Sequence, residues 1–340
     1  MARFRRRAPA LTLFFLAPVI GELLSGSSPP SEFFSPPTLL LLAVLYGGGA
    51  LLIRELRCRW HKGWPTVLLL GAAYGLVEEG LMVKSFFDPH WVDIGLLGSY
   101  GRWAGVNWVW AFELTLFHAV FSIAVPILLT ERLFPERQND SWVGRRMTAL
   151  LSLLLIGDIL LGFLALTPYR PPFLPYVLTL ATVIGFAGAA QRLPVHIFVR
   201  PPDDPSEPVM RLRVIGFIGT LTLFALSWAV PNTGAPALLN LWLMAGLPLA
   251  VFIAVTAASR GRQLSERQSL GLVSGGMGFF VLLAPLQQLS KNRADDTSGM
   301  AIVGLLFLVG LILLELRFRR TAADPALTGG AVLAPDPPRG

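Results

Sequence analysis

The 340-residue chain is poor in charge, with Asp, Glu, Lys and Arg making up 14% of it, where an average soluble domain has about 25%. It has a single cysteine. Cys58 therefore has no internal disulfide partner, and no His and Cys set stands near it to hold zinc. Also missing are the G-x-x-x-x-G-K-S/T loop, the H-E-x-x-H helix and the G-x-S-x-G elbow, so ATP hydrolysis, zincin chemistry and serine hydrolysis have no support. What the chain has instead is apolar surface, 54% hydrophobic residues, the composition of a protein whose solvent is a bilayer. The 28 Lys and Arg exceed the 21 Asp and Glu to give +7. They are dispersed among apolar runs, which excludes a nucleic-acid footprint and leaves the lipid bilayer as the partner.

Ten apolar segments follow one another near residues 9–25, 38–54, 64–83, 108–130, 147–167, 173–191, 212–230, 236–258, 268–287 and 299–316. Each is long enough, at about 1.5 Å per residue, to cross a hydrocarbon layer roughly 30 Å thick. An open strand would leave backbone groups unpaired in lipid, so the expected fold is all-α, a polytopic membrane protein of about ten transmembrane helices. Basic residues support the count. Under it 23 of the 28 Lys and Arg fall on alternate connections, and the other connections hold only Lys84, Arg102, Arg170, Lys291 and Arg293. Cytoplasmic loops carry such an excess, so both termini are expected in the cytoplasm and the protein in the cell membrane. Arg5–Arg7 followed by a short apolar core resembles a signal peptide, but Glu22 and the lack of an A-x-A site favour a retained first helix. Residues 1–320 are read as the membrane domain. Residues 321–340, rich in Ala, Pro and Gly, are read as a disordered cytoplasmic tail.

Small residues recur at Gly47–Gly49, Gly185, Gly188, Gly271, Gly275, Gly276 and Gly278, where close helix packing is the expectation. The only hint of an internal repeat, GLVEEG at 75–80 against GLVSGG at 271–276, is too short to carry a fold.

Chemistry is expected where ionisable groups lie inside apolar runs, because a charge near the bilayer centre costs about 2.5–3.5 kcal/mol even on lenient scales. Glu78 and Glu79 fall in the third segment, and Glu113 and His118 in the fourth. With Glu22 and Asp158 they suggest a polar pocket on four helices, with Lys84 or Arg102 available to neutralise a carboxylate. Against that stand simpler roles: snorkelling for Glu22 and Glu113, and interhelical hydrogen bonding for His118. Helix neighbours point about 100° apart, so Glu78 and Glu79 are expected to face different surfaces, one reacting and the other paired. In the loop that follows, Asp88, His90 and Asp93 have a D-x-H-x-x-D spacing able to hold a divalent metal with Glu79 or His118. Trp91, Tyr100, Trp103, Trp108 and Trp110 in this region fit an interfacial aromatic belt.

The run V-E-E-G-L-M-V-K at 77–84, followed about 40 residues later by L-T-L-F-H at 114–118, resembles the CAAX-protease and bacteriocin-processing (CPBP) family of intramembrane glutamate proteases. The resemblance spans about 45 of 340 residues. It implies that Glu78 acts as general base, with Glu79 as its neighbour and His118 orienting the attacking water, in a reaction without cofactor or metal. Val83 stands where that family has Arg, with Lys84 one residue late, and Leu114 replaces a Phe. The family's HxxxN motif has no counterpart, since His196 lies in a basic loop and is followed at the fourth position by Arg200. Three readings follow as expectations: a glutamate-dependent hydrolase acting on a membrane peptide, a secondary transporter in which Glu78, Glu79, Glu113 and His118 carry protons or a cation for a small solute, or a structural or assembly protein whose acids only pair helices.

Overall fold

The computed structural model describes residues 2–198, 200–201, 209–290, 293 and 295–323. Ten long helices form it. Helix α1 begins as Ala2–Pro18 and continues in a wide π-helical turn at Val19–Leu24, and α2 covers Pro36–Arg59 with a π turn at Ala43–Gly48. Helix α3 covers Trp64–Gly75 and runs into a π turn at Leu76–Met82, while α4 covers Trp108–Leu133 with a π turn at His118–Ala124. Next come α5 (Arg145–Leu166), α6 (Phe173–Ala190) and α7 (Val209–Phe224, then a π turn at Ala225–Ala229). The last three are α8 (Ala237–Ala258), α9 (Glu266–Leu289) and α10 (Met300–Ala323). Among the described residues the sole sheet is a two-stranded hairpin, β1 (Arg102–Trp103) with β2 (Val106–Asn107).

Nine of these helices are long and apolar enough to cross a membrane. The tenth crossing read from the sequence is α3, whose apolar character is diluted by Glu78 and Glu79. The last helix runs through Ala323, past the boundary at 320 read from the sequence, and the rest of the segment read as a tail lies outside the described residues.

Contacts between connections sort them onto two faces in strict alternation. On one, Lys62 Nζ donates to Leu193 O at 2.9 Å, Arg132 pairs with Glu266 at 2.9 Å and Arg317 donates to Leu133 O at 3.1 Å. This is the face where the basic loops gather. On the other, Gln287 donates to Ser25 O at 2.7 Å, Ser31 to Asp296 O at 3.2 Å and Lys84 to Thr167 O at 3.0 Å.

The basic face holds a buried polar knot that the sequence shows only as loop charges. Arg54 is fully buried, stacks 3.5 Å from the Trp142 ring centroid and donates to Gln138 O at 2.8 Å. Glu131, beside it, is held by Arg57 at 2.8 and 2.9 Å. Glu55 accepts from Ser141 Oγ at 2.6 Å and from Trp142 N at 2.7 Å. A buried charge is tolerated only when its partners are supplied in this way.

Helix α4 is the axis of the bundle. Of its apolar stretch 72% is buried, against 11% for α8 and 6% for α6, whose leucines and aromatics face outward. That outward apolar surface is what lipid covers. An aromatic cluster ties α4 to the later helices, with Phe121 against Phe280 at 4.9 Å and Phe224 stacked on Phe279 at 4.9 Å. Several glycines serve close packing as expected: a Cβ at Gly47 would stand 2.1 Å from Phe14 O, and one at Gly275 1.9 Å from Arg213 O. Gly185 and Gly188 do not, since nothing lies within 4 Å of either.

Candidate functional site

Helices α3 and α4 cross closely because α3 is bare on the facing side. A Cβ at Gly71 would lie 2.9 Å from Ala119 Cα, and one at Gly75 would lie 3.0 Å from His118 Cβ. This approach seats the His118 imidazole against the end of α3, where the helix opens into its π turn. The wide turn matters, because π geometry brings successive side chains nearer to one direction than an α turn does. Both glutamates consequently reach the same ring, correcting the expectation that they face different surfaces. Glu79 Oε1 lies 3.2 Å from His118 Nε2, and Glu78 Oε2 lies 3.4 Å from Nδ1. Ser122, one turn along α4, stands 3.0 Å from the same Nδ1. His118 and Glu78 are buried, and Glu79 is nearly so.

Two tyrosines complete the wall. Tyr74 and Tyr46 place their rings 5.9 and 6.0 Å from the imidazole, and both phenols stand beside the Glu78 carboxylate. The Tyr46 hydroxyl donates a short hydrogen bond to Glu22 Oε1, and Ser28 Oγ donates to Glu22 Oε2 at 2.8 Å. Glu22 is half-buried, at the edge of the cluster toward the face opposite the basic loops. Over Glu79 the loop after α3 folds down. Ser85 donates a short bond to Glu79 Oε2, Trp110 Nε1 donates to Ser85 Oγ at 3.0 Å, and Asn107 holds Ser85 O at 3.1 Å and Asp88 O at 2.9 Å. Toward the basic face the cluster is closed by the buried apolar side chains Val67, Leu70, Ile123 and Ile127.

Of the residues read from the sequence, Glu78, Glu79, His118 and Glu22 come together, and three others do not. Lys84 turns away with a left-handed backbone, φ 66°, and its ammonium caps the end of α5 through Phe163 O at 2.7 Å and Thr167 O at 3.0 Å. Glu113 is buried between α4 and α7, against Ser227 and Trp228. Asp158 stands behind Tyr74 on α5, and its Oδ2 has no hydrogen-bond partner. Arg102 is likewise occupied in the loop, donating to Phe87 O at 2.9 Å. Tyr46, Tyr74, Ser85 and Ser122 escaped sequence reasoning. The available signals were His118 and Ser122 four residues apart, and two tyrosines within spans instead of at the interface where tyrosine concentrates.

The ligand atoms of Asp88, His90 and Asp93 do not gather into a group close enough for an ion, and Asp88 Oδ1 accepts from the His90 backbone at 2.8 Å in a local turn. Among the described residues, Glu78, Glu79 and His118 form the group with ligand atoms close enough for an ion, all within 4.8 Å of one another. The fit is poor. The two carboxylates address different ring nitrogens, whereas one ion binds one nitrogen with bonds of about 2.0–2.2 Å. An imidazole braced between two carboxylates is an arrangement for holding and moving protons.

A bundle of long apolar helices, nine of them long and apolar enough to span a bilayer, with an ionisable cluster buried inside it defines an integral, multi-pass membrane protein. The model of an uncharacterized membrane protein family matches residues 11–334, and the chain belongs to that family. No CPBP model matches. Neither the curated proteins nor the solved structures contain a match.

Proposed function

We propose that the protein is a membrane-embedded hydrolase in which Glu78, Glu79 and His118 activate water against an amide or peptide bond of a membrane-borne substrate. The observation that supports it is the imidazole braced at both nitrogens by carboxylates within spans, where unpaired charge is too costly to persist without use. In this reading Glu78 removes a proton from water as the oxygen attacks the carbonyl carbon. The C–N bond then breaks as that proton passes to the leaving nitrogen, giving a carboxylic acid and an amine. His118, positioned by Glu79 and Ser122, orients the water. Closure by Val67, Leu70, Ile123 and Ile127 toward the basic face suits a one-sided chamber. With basic loops inside, the cluster lies toward the face away from the cytoplasm and both termini are cytoplasmic.

Proton- or cation-coupled transport is the second reading, favoured by the continuation of the cluster through Tyr46 to Glu22. The test of both is purified protein with a fluorogenic membrane peptide, and separately in pH-gradient vesicles. Glu78→Gln and His118→Ala are expected to insert and fold while losing cleavage by about 10²-fold or more, the range of a lost general base. Full cleavage by Glu78→Gln refutes the base role. Solute-dependent proton flux without cleavage gives the site to transport.

A further inference from the structure

Hydrolysis or transport, the Glu78–His118–Glu79 group must exchange protons with water, yet it is walled by apolar side chains toward the basic face. A polar route leaves it through Tyr46, beside the contact of Glu79 with the Ser85 loop. Tyr46 sits between Glu78 and Glu22, with its O–H already directed to Glu22 Oε1. Glu22 Oε2 accepts from Ser28 Oγ at 2.8 Å, and the neighbouring Ser27 is exposed. Helices α1 and α2 are shaped to make this junction. Gly21 leaves room for the Tyr46 ring, since a Cβ there would fall 2.6 Å from Tyr46 Cε1, and Gly47 lets α2 lie against the α1 backbone at Phe14. Glu22 and Tyr46 each lie in a π turn, as do Glu78, Glu79 and His118. Such turns are rare and recur at functional sites.

We propose that Tyr46 and Glu22 are a proton relay connecting Glu78 to the face opposite the basic loops. It rests on the site reading above only in that Glu78 takes up and releases a proton. The transfer balances without a tyrosinate: the Tyr46 oxygen accepts the proton of a protonated Glu78 while its own proton passes to the Glu22 carboxylate. Glu22 then releases a proton through Ser28 to water, and the reverse sequence reloads Glu78. The other titratable groups facing this path are Tyr74 from α3, His118 from α4, Glu79, and Asp158 from α5 behind Tyr74. Tyr74 flanks the same carboxylate as Tyr46, but its hydroxyl has no onward hydrogen bond, so it is a dead end and an internal control.

The test is infrared spectroscopy of the full chain in lipid, following the protonated-carboxyl stretch after a switch to D₂O at several pH values between 4 and 8. The band of the cluster is identified by its loss in Glu78→Gln and Glu79→Gln. Deuteration of that band is expected to slow at least tenfold in Tyr46→Phe and in Glu22→Leu, and to keep its wild-type rate in Tyr74→Phe. Tyr46→Phe retains the ring that Gly21 accommodates, so thermal unfolding like wild type is expected for it. Wild-type exchange in both relay variants overturns the proposal, as does equal slowing in Tyr74→Phe, or no protonated cluster carboxyl anywhere in that pH range. Hydrolysis surviving in Glu78→Gln removes the catalytic reading without touching the exchange result, so the two failures are distinguishable.

Discussion

Gly71→Ala adds a single methyl group, and the structure says where it goes. Its carbon would stand 2.9 Å from Ala119 Cα, 3.0 Å from Ala119 O and 3.3 Å from Ile123 Cβ. Two of these neighbours are backbone and cannot rotate aside. Ordinary carbon contacts lie at about 3.5–4.0 Å, so α3 and α4 must part by about 0.5–1 Å. The Glu79–His118 separation of 3.2 Å then grows to about 4 Å, beyond hydrogen-bond range. Overpacking of this kind costs about 1–3 kcal/mol, and a displacement near 1 Å at a reacting group can cost about 10²-fold in rate. The measurements are equilibrium unfolding in mixed micelles and the side-chain ¹⁵N resonances of His118, with Gly157→Ala alongside. Gly157 has nothing within 4 Å, so alanine there should be neutral or stabilising by about 0.5–1 kcal/mol. If Gly71→Ala is as stable as Gly157→Ala and leaves the His118 resonances unmoved, the close crossing of α3 and α4 does not hold the site.

Three further outcomes are expected. Arg54→Met should destabilise by about 3–5 kcal/mol, because it strips a partner from buried Glu131 and Glu55; adding Glu131→Gln should recover part of that loss, and a cost below about 1 kcal/mol for Arg54→Met would show the knot on the basic face to be idle. Lys84→Met should cost about 1–3 kcal/mol by baring the carbonyls of Phe163 and Thr167, with the proposed activity of the cluster retained; loss of that activity at unchanged stability would instead make Lys84 a neutraliser of the glutamates. Reporter fusions at Leu96 and Arg260 should locate to opposite sides of the membrane, Arg260 in the cytoplasm, and the same side for both would refute the alternating arrangement.

Hydropathy and the alternation of basic loops made the ten helices legible, because bilayer thickness and loop charge act on every span alike. The meeting of Glu78, Glu79 and His118 followed from three costly residues on two helices joined by one loop. Helical phase was not legible. Counting about 100° per residue sends Glu78 and Glu79 apart, and the π turn at Leu76–Met82 undoes that count. Depth misled as well: Glu113 shares a span with His118 yet faces α7, because depth fixes height and leaves direction open. Arg54 counts in the sequence only as one of the basic residues of a connection, because its partners are the Gln138 carbonyl and the Trp142 ring more than 80 residues away, which no local pattern reveals.

The π turns of α1–α4 have a consequence for chain length. A π turn seats one residue more than the α turn it replaces, so the two halves of such a helix are offset by one position. Deleting one residue within Leu76–Met82 would let the turn close to an α turn while the helix on either side keeps its facing, so the loss falls on the turn itself: Glu78 and Glu79 return to about 100° apart and no longer both reach His118. Deleting one within His118–Ala124 would likewise spare the two halves of α4 and re-aim the residues of that turn. Spacing in this layer is therefore part of the site itself, and an indel scan through it should read as sharply as substitution of Glu78 or His118.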